Sequence, residues 1–131
     1  MIQFHDLVST ATLLIAHPSI WRGTDPTDSL TRCTPFFNVG PYPTCSFYLR
    51  PGDVPWEISV TVSPSEDPNA VVCQLRYKID GNPEWYNLLE HHARRSDFFQ
   101  TFPYDLLDEK LDAVDQVICH RMIHGTNSED C

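Results

Sequence analysis

A chain of 131 residues has the length of one ordinary domain, and its 41% hydrophobic content is too high for a disordered segment. Its formal charge of −9, from 18 acidic and 9 basic residues, argues against binding to nucleic acid or to an anionic membrane, because the field of the protein repels phosphate.

The cysteines favour a reducing compartment. There are five, an odd number, and no two form a CxxC pair: Cys33, Cys45, Cys73, Cys119 and Cys131. The first residues of the sequence do not resemble a signal peptide. The longest apolar stretch, residues 13–16, is far too short to span a bilayer. We therefore expect reduced thiols and a cytoplasmic location, although a Cys33–Cys45 disulfide would fit an oxidising compartment.

The first predicted element is a helix. Its apolar residues recur at helical spacing and form one continuous stripe: Phe4, Leu7, Val8, Ala11, Leu14 and Ile15. His17-Pro18 should end this helix, because the residue before proline is disfavoured in the α region. Residues 18–34 are then predicted to be a long loop, in which Asp25-Pro26 is able to begin a short turn.

The middle of the chain alternates apolar and polar residues with the period of a β-strand. Three segments show this pattern, residues 45–50, 56–62 and 71–79, and turn-forming residues separate them. Phe36 to Val39 is predicted to add an edge strand, because Pro35 and Pro41 suit only an edge. The short connections indicate an antiparallel meander.

Two helices are predicted after the strands. Asn82-Pro83-Glu84 has the composition of a helix start, with Trp85, Leu88, Leu89 and His92 on the buried side. Phe98, Phe99 and Phe102 are predicted to lie in a linker that packs on the sheet. The last helix should begin at Pro103 and Asp105, end at Gly125 and bury one side: Leu107, Leu111, Val114, Ile118 and Met122.

The predicted fold class is therefore α+β. A single antiparallel sheet of three to four strands would be packed by an N-terminal helix and two C-terminal helices. Residues 1–131 would form one domain, with residues 126–131 as a frayed polar tail.

Two groups of histidines are candidates for chemistry. His120 and His124 lie one helical turn apart beside Cys119, but Arg121 stands where the HExxH signature has its glutamate, so we favour surface histidines over a metal site. The second group is Glu90-His91-His92 with Arg94-Arg95, which is able to supply an acid or base. No nucleophile motif accompanies it, and we favour a structural helix end.

Two charged surfaces are candidates for binding. Tyr48, Arg50, Arg76 and Lys78 would share the outer sheet face, and suit a phosphate, RNA or an acidic peptide, or simply a solvated face paired with Glu57. The last helix carries a carboxylate stripe at positions i, i+3, i+7 and i+10: Asp105, Asp108, Asp112 and Asp115. Such a stripe can dock a basic partner, or be the solvated side of an amphipathic helix.

The sequence favours a non-enzymatic protein that binds another protein with a basic surface, such as an inhibitor, immunity protein, chaperone or viral counter-defence protein. We expect no cofactor and no metal, and predict these partner-binding residues: Asp105, Asp108, Asp112, Asp115, Arg50 and Arg76. One alternative is an assembly subunit that forms an oligomeric ring, as in phage tails. Another is a small histidine- or metal-dependent hydrolase.

Overall fold

The computed structural model describes residues 2–21, 34–51 and 54–126, and the side chains of all of these except residues 21 and 119–126. In this part of the chain, five strands form one antiparallel sheet in the order β1-β2-β3-β4-β5. The strands are β1 (Thr34–Asn38), β2 (Thr44–Leu49), β3 (Trp56–Pro64), β4 (Ala70–Ile79) and β5 (Tyr86–Arg94). The predicted α+β meander is confirmed, but the sheet has five strands where three to four were predicted.

Within the described ranges four α-helices accompany the sheet: α1 (Phe4–Ile15), α2 (Pro18–Trp21), α3 (Phe98–Thr101) and α4 (Tyr104–Thr126). α1 spans the predicted residues and packs against β2 and β3. α4 packs against β5 and α2. The last helix begins as predicted but runs one residue past Gly125, while residues 127–131 of the predicted tail lie outside the described residues.

The prediction of a loop from residue 18 is wrong for its first four residues, which form α2. Proline is tolerated at the first position of a helix, because a backbone N–H at that position would have no intrahelical acceptor. His17 supports this helix start, because its Nδ1 accepts a hydrogen bond from the Ser19 backbone N–H at 3.2 Å. Ile20 becomes fully buried, which favours the helical turn. The predicted turn at residues 25–26 lies outside the described residues.

The prediction of a helix after Asn82-Pro83-Glu84 is wrong, since Tyr86–Arg94 is the edge strand β5. The pairing of β5 with β4 shifts by one residue at a β-bulge, so that Leu89 pairs with Leu75 while Asn87 pairs with Arg76. Leu88 is the extra residue of the bulge, and both Leu88 and its neighbour Leu89 are buried. A bulge interrupts the alternation of a strand, and the resulting spacing of apolar residues imitates that of a helix.

The turn before β5 explains why the chain reverses there. Gly81 has a φ of +84°, a left-handed conformation that glycine adopts without the strain a side chain would cause. The backbone N–H of Asn82 donates to the Ile79 carbonyl at 3.0 Å and closes the turn. The chain therefore returns antiparallel to β4.

The core lies between the inner face of the sheet and the helices. Alternate residues of the three central strands are buried there, including Phe47, Ile58, Val60, Cys73 and Leu75. From the helices, the core receives Leu7, Ala11, Leu14, Leu107, Leu111, Val114 and Ile118. The predicted inward positions of α1 and α4 are thus confirmed, except Met122, whose side chain lies outside the described residues.

Burial keeps the two described core thiols protonated. Cys45 and Cys73 are free cysteines, and loss of hydration raises the pKa of Cys45 to about 11 and that of Cys73 further still. A thiol without thiolate character is a poor nucleophile and metal ligand. These two cysteines therefore belong to the core, while Cys33 and Cys131, with the side chain of Cys119, lie outside the described residues.

Asp6 joins the start of α1 to the 3-10 turn that follows β5. Its side chain is only 5% exposed, it accepts a hydrogen bond from the Gln3 backbone N–H at 2.9 Å, and the Nε of Arg95 lies 3.1 Å from its Oδ1. The Gln3 hydrogen bond and the charges of Arg95 and His5 lower the pKa of Asp6 below its ordinary value of 3.8, although burial opposes them. The folded state therefore favours the ionised carboxylate.

We expect Asp6→Asn to lower the free energy of unfolding at pH 7 by about 1–3 kcal/mol, because a charge-assisted contact to Arg95 is lost. Since the folded pKa lies below the unfolded one, the contribution of Asp6 is complete above about pH 4 and is lost as pH falls through the folded pKa. Urea denaturation from pH 7 to pH 2 should show a flatter acid limb for the variant. An unchanged limb, or the same change in the exposed control Asp108→Asn, would contradict this role.

Candidate protein-binding surface

The hairpin of β1 and β2 exposes four large apolar side chains. Phe36 is 65% exposed, Phe37 49%, Val39 71% and Tyr42 84%. We call these four residues the hairpin surface. The whole segment from Thr34 to Leu49 contains no charged residue, although 21% of the chain is charged. Aromatic residues without nearby charges are typical of the centre of protein–protein interfaces.

The hairpin surface lies at one edge of the sheet. β1 pairs with β2 alone among the described residues, and all five of its residues are exposed. The prediction that this strand lies at an edge is confirmed, and the strand begins two residues before the predicted Phe36. Natural edge strands are usually protected by charged side chains, bulges or prolines. Pro35 is the single such feature within β1, so this edge is well suited to contact with another molecule.

Neighbouring rings hold the two phenylalanines of β1 in place. Phe37 contacts Phe4 of α1 and Phe47 of β2 edge to face, with ring centroids 5.8 and 6.4 Å apart. Phe36 contacts Tyr48 in the same geometry at 6.4 Å, on the other face of the sheet. Packing of this kind reduces the side-chain entropy that a binding surface loses when its partner docks.

The outer sheet face combines aromatic and cationic groups as predicted, but Arg50 has a separate role. Tyr48 and Arg76 flank Ser59 in the register, and Lys78 is opposite Glu57. The Tyr48 and Trp85 rings lie 5.8 Å apart, and the Lys78 ammonium lies 6.0 Å from the Trp85 ring. α1 and α4 pack on the opposite face of the sheet.

The guanidinium of Arg50 clamps the ends of two strands. It donates two hydrogen bonds to the Asp80 carboxylate, at 2.9 and 3.0 Å, and one to the Val54 carbonyl at 2.7 Å. Arg76, in contrast, is exposed and donates to the neighbouring Gln74 side chain at 2.9 Å. Of the two arginines predicted to contact a partner, Arg76 is therefore the more accessible.

The carboxylate stripe lies on one side of α4, but its members differ in environment. Asp105, Asp108 and Asp112 are exposed. Asp115 is half-buried, and its Oδ1 accepts a hydrogen bond from the indole N–H of the fully buried Trp56 at 3.2 Å. Asp115 thus satisfies a buried donor of the core, a role that no sequence pattern indicates.

His91, from the second histidine group, belongs to an aromatic cluster at the sheet. The ring of His91 contacts Phe98 and Phe102, with centroids 5.1 and 5.3 Å apart, and its Nε2 lies 3.1 Å from the Thr101 hydroxyl. Partial burial lowers the pKa of His91, which favours the neutral ring. His92 points to the other face and lies 3.4 Å from Glu90.

The helix-end role predicted for Arg94 and Arg95 is wrong, because Arg94 ends β5 and Arg95 begins a 3-10 turn. The side chains of His120 and His124 lie outside the described residues. Among the residues whose side chains are described, no group of three or more His, Cys, Asp or Glu is placed to hold a metal. No helix in the described ranges is long and apolar enough to cross a membrane.

Comparison with known protein families, curated proteins and solved structures gives no significant match.

Proposed function

We propose that this protein acts by binding another protein through the hairpin surface. The observation that carries the proposal is the exposure of Phe36, Phe37, Val39 and Tyr42 within a segment of sixteen residues that lacks charge. An exposed apolar group of this kind costs solubility unless a partner covers it. Among the described residues β1 has no second neighbouring strand, and its backbone therefore adds hydrogen-bonding groups that a partner strand can use.

The partner proposed is a protein with a basic surface around an apolar centre. The chain carries a charge of −9, and none of its acidic groups lies in the hairpin segment itself. Two copies of this chain would repel each other at long range, whereas a basic partner would be attracted. Charge complementarity therefore favours a different protein over a second copy.

In this proposal the carboxylate stripe of α4 acts on the partner through long-range electrostatic attraction. α4 packs against β5, at the opposite edge of the sheet from β1. Asp105, Asp108 and Asp112 are therefore proposed to raise the association rate through the field of the protein, while the hairpin surface determines how slowly the complex dissociates.

We expect the double substitution Phe36→Ser and Tyr42→Ser to weaken partner binding at least about tenfold, because it removes the two most exposed rings of the hairpin surface. A partner recovered from extracts of the native cells would be purified, and its affinity for each variant measured by titration calorimetry. Association measured by stopped flow should slow as the salt concentration rises.

The matched control is Leu106→Ser, which removes an apolar side chain of α4 that is 40% exposed. This variant should bind like the wild type, and both variants should keep the wild-type melting temperature within a few degrees. Equal affinity of the wild type and the double variant for the purified partner would overturn the proposal.

Self-assembly is the second candidate, because both edges of the described sheet, β1 and β5, lack a neighbouring strand within the described residues. An edge of one copy that pairs with the other edge of the next copy would generate a ring or a filament. Light scattering under reducing conditions separates the two candidates. A monomer of 15.0 kDa supports the hetero-complex, and a stable larger assembly supports the ring.

A further inference from the structure

A cleft of about 550 Å³ lies beside α1 and the end of β5. It is bordered by Ile2 and residues 9–13 of α1, by the turn before β4, and by the end of β5 with the residues that follow. Two of its lining residues, Arg94 and Arg95, are consecutive arginines, and these are two of only nine basic residues in the chain. A cleft with two cations is unusual in a protein of such negative charge.

The walls of the cleft are held together by specific contacts. The Arg95 backbone N–H donates to the Asn69 carbonyl at 2.9 Å, and the Ile2 N–H donates to the Pro68 carbonyl at 2.8 Å. The Asp6 carboxylate lies 3.1 Å from the Arg95 Nε. These contacts join both borders of the cleft to the sheet, so its shape is established before any ligand enters.

The arginines retain hydrogen-bonding capacity toward the cleft. Asp6 engages the Nε of Arg95, and the guanidinium has further N–H donors. The side chain of Arg94 is exposed and has no hydrogen bond or ion pair within the described residues. Ser9 and Ser96, whose side chains carry hydroxyl groups, also line the cleft. Several donors around two positive charges fit the three oxygens and double charge of a phosphate group better than the two oxygens of a carboxylate.

One part of the wall is apolar. Leu13 is 59% exposed and Phe99 is 37% exposed, and both line the cleft. A bare phosphate ion would leave this wall and most of the volume unused. The ligand therefore requires an apolar body attached to its anionic group.

We propose that the cleft binds a small phosphate monoester whose organic group is apolar or aromatic, with Arg94 and Arg95 at the phosphate and Leu13 and Phe99 at the organic group. This site is separate from the hairpin surface, and its existence does not depend on the proposed function.

The test uses phenyl phosphate as the probe, with inorganic phosphate and phenol as its two halves, in titrations followed by amide NMR spectra of the full chain. We expect saturable shifts at the backbone of Ser9, Asn69 and Ser96 with phenyl phosphate, and at least about tenfold weaker binding of either half. Arg94→Gln should weaken the binding of phenyl phosphate at least about tenfold. It should leave the melting temperature unchanged, because the Arg94 side chain has no partner among the described residues to lose.

The control is Lys110→Gln, which removes an exposed cation of α4 outside the cleft and should leave the affinity unchanged. Absence of saturation with phenyl phosphate, or equal weakening by Arg94→Gln and Lys110→Gln, would overturn the proposal. Binding of inorganic phosphate as tight as that of phenyl phosphate would also overturn it, since the apolar wall would then contribute nothing.

Discussion

Trp56→Ala should lower the free energy of unfolding by about 3–5 kcal/mol, as expected for the loss of a large buried aromatic side chain. Trp56 is fully buried at the start of β3, and its indole N–H donates to Asp115 of α4 at 3.2 Å. The substitution therefore leaves a cavity and also removes a contact between the sheet and the longest helix. Equilibrium denaturation in urea, followed by circular dichroism, measures the change.

Three further variants separate the cavity from the hydrogen bond. Trp56→Phe keeps most of the ring and should lower the free energy of unfolding by less than Trp56→Ala does. Its stability can therefore be measured even if Trp56→Ala fails to fold. Asp115→Ala leaves a buried donor without its acceptor and should cost about 1–3 kcal/mol, while Asp115→Asn keeps an acceptor oxygen and should cost less. Equal stability of Asp115→Ala and the wild type would show that this contact does not stabilise the fold.

Phe98→Ala is the second substitution for which we expect a loss of about 3–5 kcal/mol. Phe98 is fully buried in α3, and its ring lies 5.1 Å from His91 and 5.0 and 5.6 Å from Phe99 and Phe102. This cluster holds the segment between β5 and α4 against the sheet. Its loss should therefore also weaken the packing of α4 on β5.

Phe99→Ala is the matched control for the aromatic cluster. Phe99 is the same residue type one position further along the same helix, but it is 37% exposed, so its truncation should cost about 1 kcal/mol or less. Urea denaturation of the two variants gives the comparison. If they were equally stable, the burial of Phe98 would not be the source of its contribution.

The strands and helices with uninterrupted periodicity were predictable from the sequence. α1 and α4 present one apolar stripe each, and β2, β3 and β4 alternate apolar and polar residues over most of their length, so local spacing indicates which side faces the core. The fifth strand was not predictable in this way, because the bulge at Leu88 places two leucines in succession and suggests a helix. Pairing with β4 overrides that local signal.

The candidate surfaces were predictable in part. The uncharged segment from Thr34 to Leu49 is visible in the sequence, but only the structure shows that its rings are exposed at a sheet edge. The spacing of Asp115 predicts a place in the carboxylate stripe. It cannot reveal that Asp115 accepts a hydrogen bond from the buried indole of Trp56, 59 residues away in the chain. The cleft joins residues from α1, β5 and the turn before β4, and such a combination arises only from tertiary packing.

Hydrogen exchange of the purified protein, alone and with its purified partner, tests the central claim most directly. We predict that amides of residues 34–44 exchange at least about tenfold more slowly in the complex, because the partner covers the hairpin surface and pairs with β1, the edge strand of the described sheet. The exposed side of α4 should show little change. Protection confined to α4, with exchange of residues 34–44 unaltered, would contradict the proposal that this protein binds through the hairpin.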